Sequence, residues 1–331
     1  VTPKTALIYN ASRDPSFNLA LEEHLLKEAE ELESCIMIWQ NNPSIIIGRY
    51  QNTYEEISQA FVEENKIDVI RRITGGGAVY HDLGNINFSF INVSENKKVD
   101  FHRYNQVIVS LLMGIGVKAE LSSRNDITID GKKFSGTAQY IHKNKVLHHG
   151  TLLYNSRLDT LGQALRVSSL KYQSKSVKSV QSRVTNICDY LPQPLSVDEF
   201  KNLLVKKLSD SIPTEEYKLA THALEKVVEL QEQKYKTWEW NYGSSPDFNF
   251  KKTCSLPCGL VEVRLNLSAG YIRNIKVYGD FFGIKEIVDF ENHLVGTKYE
   301  CVSLQNKLLE LPLADYFGSV SADDLIQCFH E

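Results

Sequence analysis

The chain reads as an α+β protein: a mixed-sheet α/β core followed by a small α+β C-terminal region. Three observations predict this. Apolar residues at helical spacing recur between short apolar runs of strand length, and most of those runs are joined by hairpin-like turns. A length of 331 residues suggests one large or two ordinary domains. Ser244-Ser245-Pro246, after the aromatic stretch Trp238 to Gly243, reads as a turn that divides 1–244 from 245–331.

In chain order, Ser16 to Glu31 predicts a helix, with Phe17, Ala20, Leu21, His24 and Leu25 on one face. Asp14 suits its N-cap and Pro15 its first position. Cys35–Trp39 and Ser44–Gly48 predict strands around the turn residues Asn41, Asn42 and Pro43. Helices are expected at about Tyr54–Asn65 and His102–Ile115. Val117 to Tyr154 is strand-rich, with a hairpin signal at Asp130-Gly131 and a second turn at His142 to Lys145. Val197–Ser209 and Glu215–Gln233 predict further helices. The last part offers strands at Gly259–Leu267 and Tyr271–Tyr278, then two or three helices. No internal repeat or low-complexity tract stands out.

The composition is that of an ordinary soluble protein, 42% apolar and 24% charged. A net charge of −4 gives no general attraction to nucleic acid or membranes. No run approaches the ~18 apolar residues of a membrane span. VTPKTALIYN lacks the basic and apolar regions of a signal peptide, although a targeting segment removed earlier stays open. Six scattered cysteines (35, 188, 254, 258, 301, 328) suggest free thiols in a reducing compartment, hence a cytoplasmic protein. Cys254 and Cys258 form a lone CxxxC, too little for a zinc site.

Residues 70 to 91, IRRITGGGAVYHDLGNINFSFI, hold the strongest functional signal. Gly75, Gly76 and Gly77 are costly to order and make sense where backbone N–H groups must approach a ligand closely. Arg71 and Arg72 just upstream point to an anionic one, a phosphate or carboxylate. A flexible turn with two solvated arginines is the plain competitor. No P-loop string GxxxxGK[ST] occurs. A GxGxxA match at Gly114, Gly116 and Ala119 closes a helical pattern instead of opening a helix, so it lacks the required context.

A second cluster is Arg124-Asn125-Asp126 followed by GKKFSGTA. Strand alternation puts Lys133 and Ser135 on one face and Lys132 and Phe134 on the other. Lys133 then either reaches into a cleft to stabilise developing charge or sits exposed on an edge strand. His148 and His149 cannot easily share a metal, because adjacent strand residues face opposite ways; one goes to the core and the other to the cleft. Trp39 either walls a hydrophobic slot or belongs to the core. Thr160 to Cys188 contains no acidic residue but carries Arg166, Lys171, Lys175, Lys178 and Arg183. It reads as a mobile basic loop able to order over an anion, or else as a solvated charged loop.

FNLALEE, RRITGGGAVYHDLGNINFSF, RND, GKKFSGTA, HHGTLL, SVQSRVTN and WEWNYG occur in that order from about Phe17 to Gly243. Together they closely resemble the lipoate–protein ligase family, with a looser match in the C-terminal ~85 residues, where that family carries a small accessory domain. The resemblance implies a biotin/lipoate ligase-like catalytic domain and a two-step reaction. Lipoate and Mg²⁺-ATP give lipoyl-AMP and pyrophosphate, and a lysine of a carrier domain then takes the acyl group.

The resemblance also implies roles for residues. Lys133 is catalytic and contacts both substrates. Nucleotide contacts fall on Arg72, Gly75, Gly76, Gly77, Ala78, Val79, Tyr80, Lys178, Ser182 and Arg183. Lipoate contacts fall on Trp39, Arg72, His81, Ser135, Gly136 and His149. Asp126 is a Mg²⁺ ligand by its chemistry. The partners implied are lipoate or octanoate, and the lipoyl-accepting domains of 2-oxo-acid dehydrogenase acyltransferase subunits or the glycine-cleavage H protein. An ATP-independent lipoyl or octanoyl transferase and a non-catalytic lipoate sensor are the competing readings. Intact Arg72, Lys133 and glycine loop favour the ligase, and the glycine–arginine loop of biotin ligases is absent.

Overall fold

The computed structural model describes residues 5–51, 53–94, 99–122, 125–165, 183–242, 250–268, 270–299 and 301–329. Its strands are β1 (Thr5–Tyr9), β2 (Ser34–Trp39), β3 (Ser44–Ile47), β4 (Asp68–Arg71), β5 (Val79–His81), β6 (Asn85–Val93) and β7 (Ala119–Leu121). They continue as β8 (Asp126–Ile129), β9 (Lys132–His142), β10 (Lys145–Leu153), β11 (Thr214–Tyr217), β12 (Phe250–Leu256), β13 (Gly259–Ser268) and β14 (Tyr271–Gly279). Eight form one mixed sheet in the order β11-β1-β2-β6-β10-β9-β8-β7. Two three-stranded sheets accompany it, β4-β3-β5 and β12-β13-β14.

The large sheet is buried on both faces, and alternation along β6 shows how. Ile86, Phe88 and Phe90 enter a core with the helices Phe101–Met113 and Val197–Ser211. Asn85, Asn87 and Ser89, equally buried, occupy the alternate positions, which face the opposite way. That opposite face of the sheet is covered by the helix Pro15–Lys27, through Leu19, Leu21, Leu25 and Leu26. A buried polar row is costly unless it is bonded or used. Here it adjoins the functional cavity.

Asp14 caps the first helix, its Oδ1 accepting from the N–H groups of Ser16 and Phe17, with Pro15 at the first turn. That helix ends at Lys27, earlier than the apolar spacing suggests. The helix expected over Tyr54–Asn65 is split into Thr53–Glu56 and Gln59–Glu64. Between them Ile57 bridges Leu165, and the Ser58 N–H donates to the Ala164 carbonyl. The helix expected from Glu215 starts only at Thr221, because Thr214–Tyr217 pairs in parallel with the otherwise open edge of β1. Pairing at a sheet edge overrides the helix preference of Glu215-Glu216.

The C-terminal part has a core of its own, built from Val261, Val263, Leu265, Ile275, Val277, Phe290, Leu304 and Phe317 among others. It carries the expected strands, preceded by the additional β12 and followed by the helices Ile287–Leu294, Cys301–Leu309, Leu313–Phe317 and Ala322–Ile326. Among the described residues no helix is long and apolar enough to cross a membrane.

Candidate active site

A cavity lies between the large sheet, the small sheet β4-β3-β5 and the helix Pro15–Lys27. Leu19, Ile46, Ala78 and Val79 give it apolar walls, with Trp39, His81 and Asn87 in one part. Lys133, Gly136, Thr137 and Asn125 line another part, with Ala138, Gly150 and Thr151 beside them, and Arg72, Gly76, Gly77 and His149 lie between. Gly75, Tyr80 and Ser135 do not line it.

The glycine loop is shaped from two directions. Arg72 is buried and makes four hydrogen bonds: Nε to Thr74 Oγ1, Nη1 to the Ile46 carbonyl, and Nη2 to the carbonyls of Gly75 and Gly77. Burial pulls its pKa down to about 10, with Glu22 opposing and Arg71 adding to the shift, so it stays charged near neutrality. From the other side, a Cβ on Gly75 would stand 2.3 Å from the Phe281 carbonyl oxygen. Gly76, at φ +89°, faces the Phe282 ring, and a Cβ on Gly48 would meet the Gly76 oxygen at 1.9 Å. Among the described residues, only Gly77 of the three has nothing within 4 Å of where its Cβ would be. Two of the three glycines therefore admit protein, and only beside Gly77, whose carbonyl goes to Arg72, is space left for a ligand.

Arg71 does different work. It donates to the carbonyls of Gly48, Arg49, Gln51, Trp240 and Asn241 and to Thr53 Oγ1. It clamps the aromatic stretch at 238–241 to the small sheet.

Lys133 holds Asp126, Nζ to Oδ1, at 2.7 Å, and both side chains are partly exposed. The β8–β9 register shifts between Ile127 and Thr128, so that Ile127 pairs with Ser135 and Thr128 with Lys133. This bulge breaks the simple alternation. Gly136, not Ser135, shares the side of Lys133: a Cβ there would come within 3.0 Å of Nζ. Phe134 and Ser135 are both buried. The backbone of Lys133 is held as well. Its N–H donates to the Arg183 carbonyl at 2.8 Å and its carbonyl accepts from the Thr185 N–H at 2.9 Å. The chain leaving the basic segment thus docks on the lysine itself. Arg183 is exposed there, while Lys178 and Ser182 lie outside the described residues.

The adjacent histidines separate as strand geometry requires. His148 is buried against Tyr104, stacked at 4.8 Å, and near Phe88, Phe90 and Phe101; burial first, then His149, holds its pKa well below normal. His149 lines the cavity, with Nε2 2.8 Å from Thr74 Oγ1 and Nδ1 2.8 Å from Glu22 Oε2. Glu22, on the first helix, also accepts from Ser89 Oγ at 2.6 Å, and that hydroxyl accepts from Trp39 Nε1 at 2.8 Å. Glu22 therefore ties Trp39 and, through His149 and Thr74, Arg72 into one buried network. Sequence reasoning missed it, as it missed Leu19, Asn87, Asn125 and Thr137 on the cavity wall. The available signal for Glu22 was two consecutive glutamates on the helix whose apolar face was already recognised.

A model of the lipoyl protein ligase A/B catalytic domain matches residues 14–209, and one of the bacterial lipoate protein ligase C-terminus matches 245–329. The chain is 42% identical to lipoate–protein ligase 1 of Staphylococcus aureus, covering 96% of this chain and 97% of that one. The crystal structure of P. falciparum LipL1 in complex with lipoate is similar at a TM-score of 0.76, with 25% identity and coverage of 93% and 94%. A structure of lipoate-protein ligase A bound with ATP gives a TM-score of 0.64 at 29% identity, over 73% of this chain and 99% of that one.

Proposed function

The chain belongs to the lipoate–protein ligase family, and we propose that its cavity runs ATP-dependent lipoate ligation in two steps. In the first, a carboxylate oxygen of lipoate attacks the α-phosphorus of ATP. The bond to pyrophosphate breaks and lipoyl-AMP forms. In the second, the amine of a carrier-domain lysine attacks the activated carbonyl; the bond to AMP breaks and an amide forms. The observation that carries this reading is one space bounded by an apolar slot, the open side of Gly77 and the Lys133 ammonium.

Each part has a task. Leu19, Ile46, Val79 and Trp39 take the aliphatic chain. Lys133 supplies positive charge where carboxylate and α-phosphate meet, and Arg72 fixes the loop that cradles the phosphates. Lys178, Ser182 and Arg183 belong to the segment that would shield the adenylate from water. The division between catalytic and accessory parts falls at 244/245.

Mg²⁺ ordinarily takes one or two carboxylates, phosphate oxygens and water. Among the described residues no group of three His, Cys, Asp or Glu could cage an ion. Asp126, beside Lys133, fits the sparser pattern: it would hold the ion with phosphate oxygens, and the ion would neutralise phosphate charge. Acceptors are the lipoyl domains of 2-oxo-acid dehydrogenase acyltransferase subunits or the glycine-cleavage H protein, and octanoate is a second acid of the right length.

The test is pyrophosphate release from purified protein with Mg²⁺-ATP and lipoate and no acceptor. Lipoate-dependent release with adenylate retained is expected. Transfer from synthetic lipoyl-AMP without such release would make the protein a transferase instead.

A further inference from the structure

The CxxxC of the C-terminal part belongs to a cluster of three cysteines. Cys254 lies on β12, Cys258 in the turn that follows it, and Cys328 in the last helical turn, Gln327–Phe329. Cys258 and Cys328 are buried in the core of this part, and Cys254 packs against that core. Among the described residues no group of three His, Cys, Asp or Glu could hold a metal ion, so the cluster is not a metal centre. Its chemistry is that of the thiols themselves.

Two of the three are brought together from opposite ends of this part of the chain. Strand alternation puts Phe250, Lys252, Cys254 and Leu256 on one face of β12, and Phe250, Cys254 and Leu256 meet the core there. Phe250 meets the Tyr299 ring edge-on at 5.8 Å, and the Tyr299 hydroxyl donates to the Phe329 carbonyl. The last turn therefore lies against the same face, where the Cys328 thiol is hydrogen-bonded to Cys254. Burial first, then that bond and the charges of Cys254 and Cys258, push the Cys328 thiol well above its ordinary range, with Lys252 opposing. Cys328 is fully enclosed, whereas Cys254, on the edge strand of β12-β13-β14, is partly open to solvent. Access orders the pair: a small solute reaches Cys254 first, with Cys328 beside it.

We propose that Cys254 and Cys328 form an oxidative modification site, in which hydrogen peroxide converts the two thiols into a disulfide. The Cys254 thiolate attacks one peroxide oxygen. The O–O bond breaks, a sulfenic acid forms, and the leaving hydroxide takes up the thiol proton as water. The Cys328 sulfur then attacks the Cys254 sulfur. The S–O bond breaks, the S–S bond forms, and the Cys328 proton leaves in a second water. The thiols give up two electrons and the peroxide takes them. A disulfide needs its Cβ atoms only ~3.8 Å apart, within reach of side chains already in contact. The bond ties the first strand of the C-terminal part to its last turn and closes most of that part into one loop, which restricts the unfolded chain. The site is independent of the ligase reading.

The experiment treats the full chain with hydrogen peroxide, alkylates the remaining thiols in denaturant, and maps the peptides without reduction. A link between Cys254 and Cys328 is expected, with a melting temperature raised by about 5–10 °C, both reversed by dithiothreitol. Cys254→Ser is expected to fold and to lose both the link and the shift. A Cys254–Cys258 link, an oxidised Cys254 with Cys328 still alkylated as a thiol, or a protein left with all its thiols overturns the proposal. So does a Cys254→Ser variant that keeps the shift. If that variant does not fold, the wild-type peptide map decides alone.

Discussion

At the scale of single residues, the site depends on buried charge held in fixed geometry. Among the described residues, Lys133 is the one cation lining the cavity whose side chain is partly exposed, and its partner Asp126 is equally open to exchange for a ligand. Lys133→Ala is expected to lower adenylation at least ~10²–10³-fold, the loss typical of one stabilising donor. Near-normal pyrophosphate release would remove it from that role. Glu22 presents a different case. Its carboxylate is buried, accepts from Ser89 and His149, and stands as the counter-charge to Arg72. Glu22→Ala leaves that arginine buried with its charge uncompensated, and should cost about 3 kcal/mol of stability. Urea unfolding would show it, and a variant as stable as wild type would mean that Arg72 is neutralised by other means.

At the scale of elements, the glycine loop is an interface as much as a ligand cradle. Gly75→Ala puts a methyl against the Phe281 carbonyl, backbone that cannot swing aside, so both stability and activity should fall. Gly77→Ala meets no neighbour within 4 Å among the described residues. Its folding stability should match wild type to within ~0.5 kcal/mol while KM for ATP rises, because the methyl enters the ligand's space. Thermal melts beside steady-state kinetics separate the two; a Gly77→Ala variant with unchanged KM would show that the loop backbone does not meet the nucleotide. The bulge in β8–β9 works at the same scale, turning Gly136 to the side of Lys133 where a regular strand would have turned Ser135.

At the scale of the whole molecule, the C-terminal part is packed onto the corner that supports this loop. Tyr50 stacks on Phe281 at 4.8 Å, its carbonyl accepts from the Gly279 N–H, and its hydroxyl donates to the Lys285 carbonyl at 3.2 Å. Arg49 pairs with Glu286 beside it. The Phe281 carbonyl accepts from the Gly76 N–H at 3.4 Å, so Tyr50→Ala should cost about 3 kcal/mol and, by releasing that contact, raise KM for ATP along with it. Loss of stability without any kinetic change would show the contact to be mere packing.

How much was legible in the sequence follows from how far each interaction reaches. Local pattern was enough for the capped first helix, the strand of Lys133, the hairpin at Asp130-Gly131 and the opposite facing of His148 and His149, because cap chemistry and strand alternation act over a few residues. The ordered motifs were enough for the family. Local pattern misread Glu215–Tyr217, whose backbone found the edge of β1, and Ser135, whose direction was reversed by a bulge. Nor could it show that Glu22, Ser89, Trp39 and His149 share one network, since they stand up to 127 residues apart. The sequence by itself determined which residue types and elements exist. The tertiary structure alone decided which glycine stays open, which face carries Lys133 and which of His148 and His149 reaches the cavity, because each depends on a neighbour brought in from elsewhere in the chain.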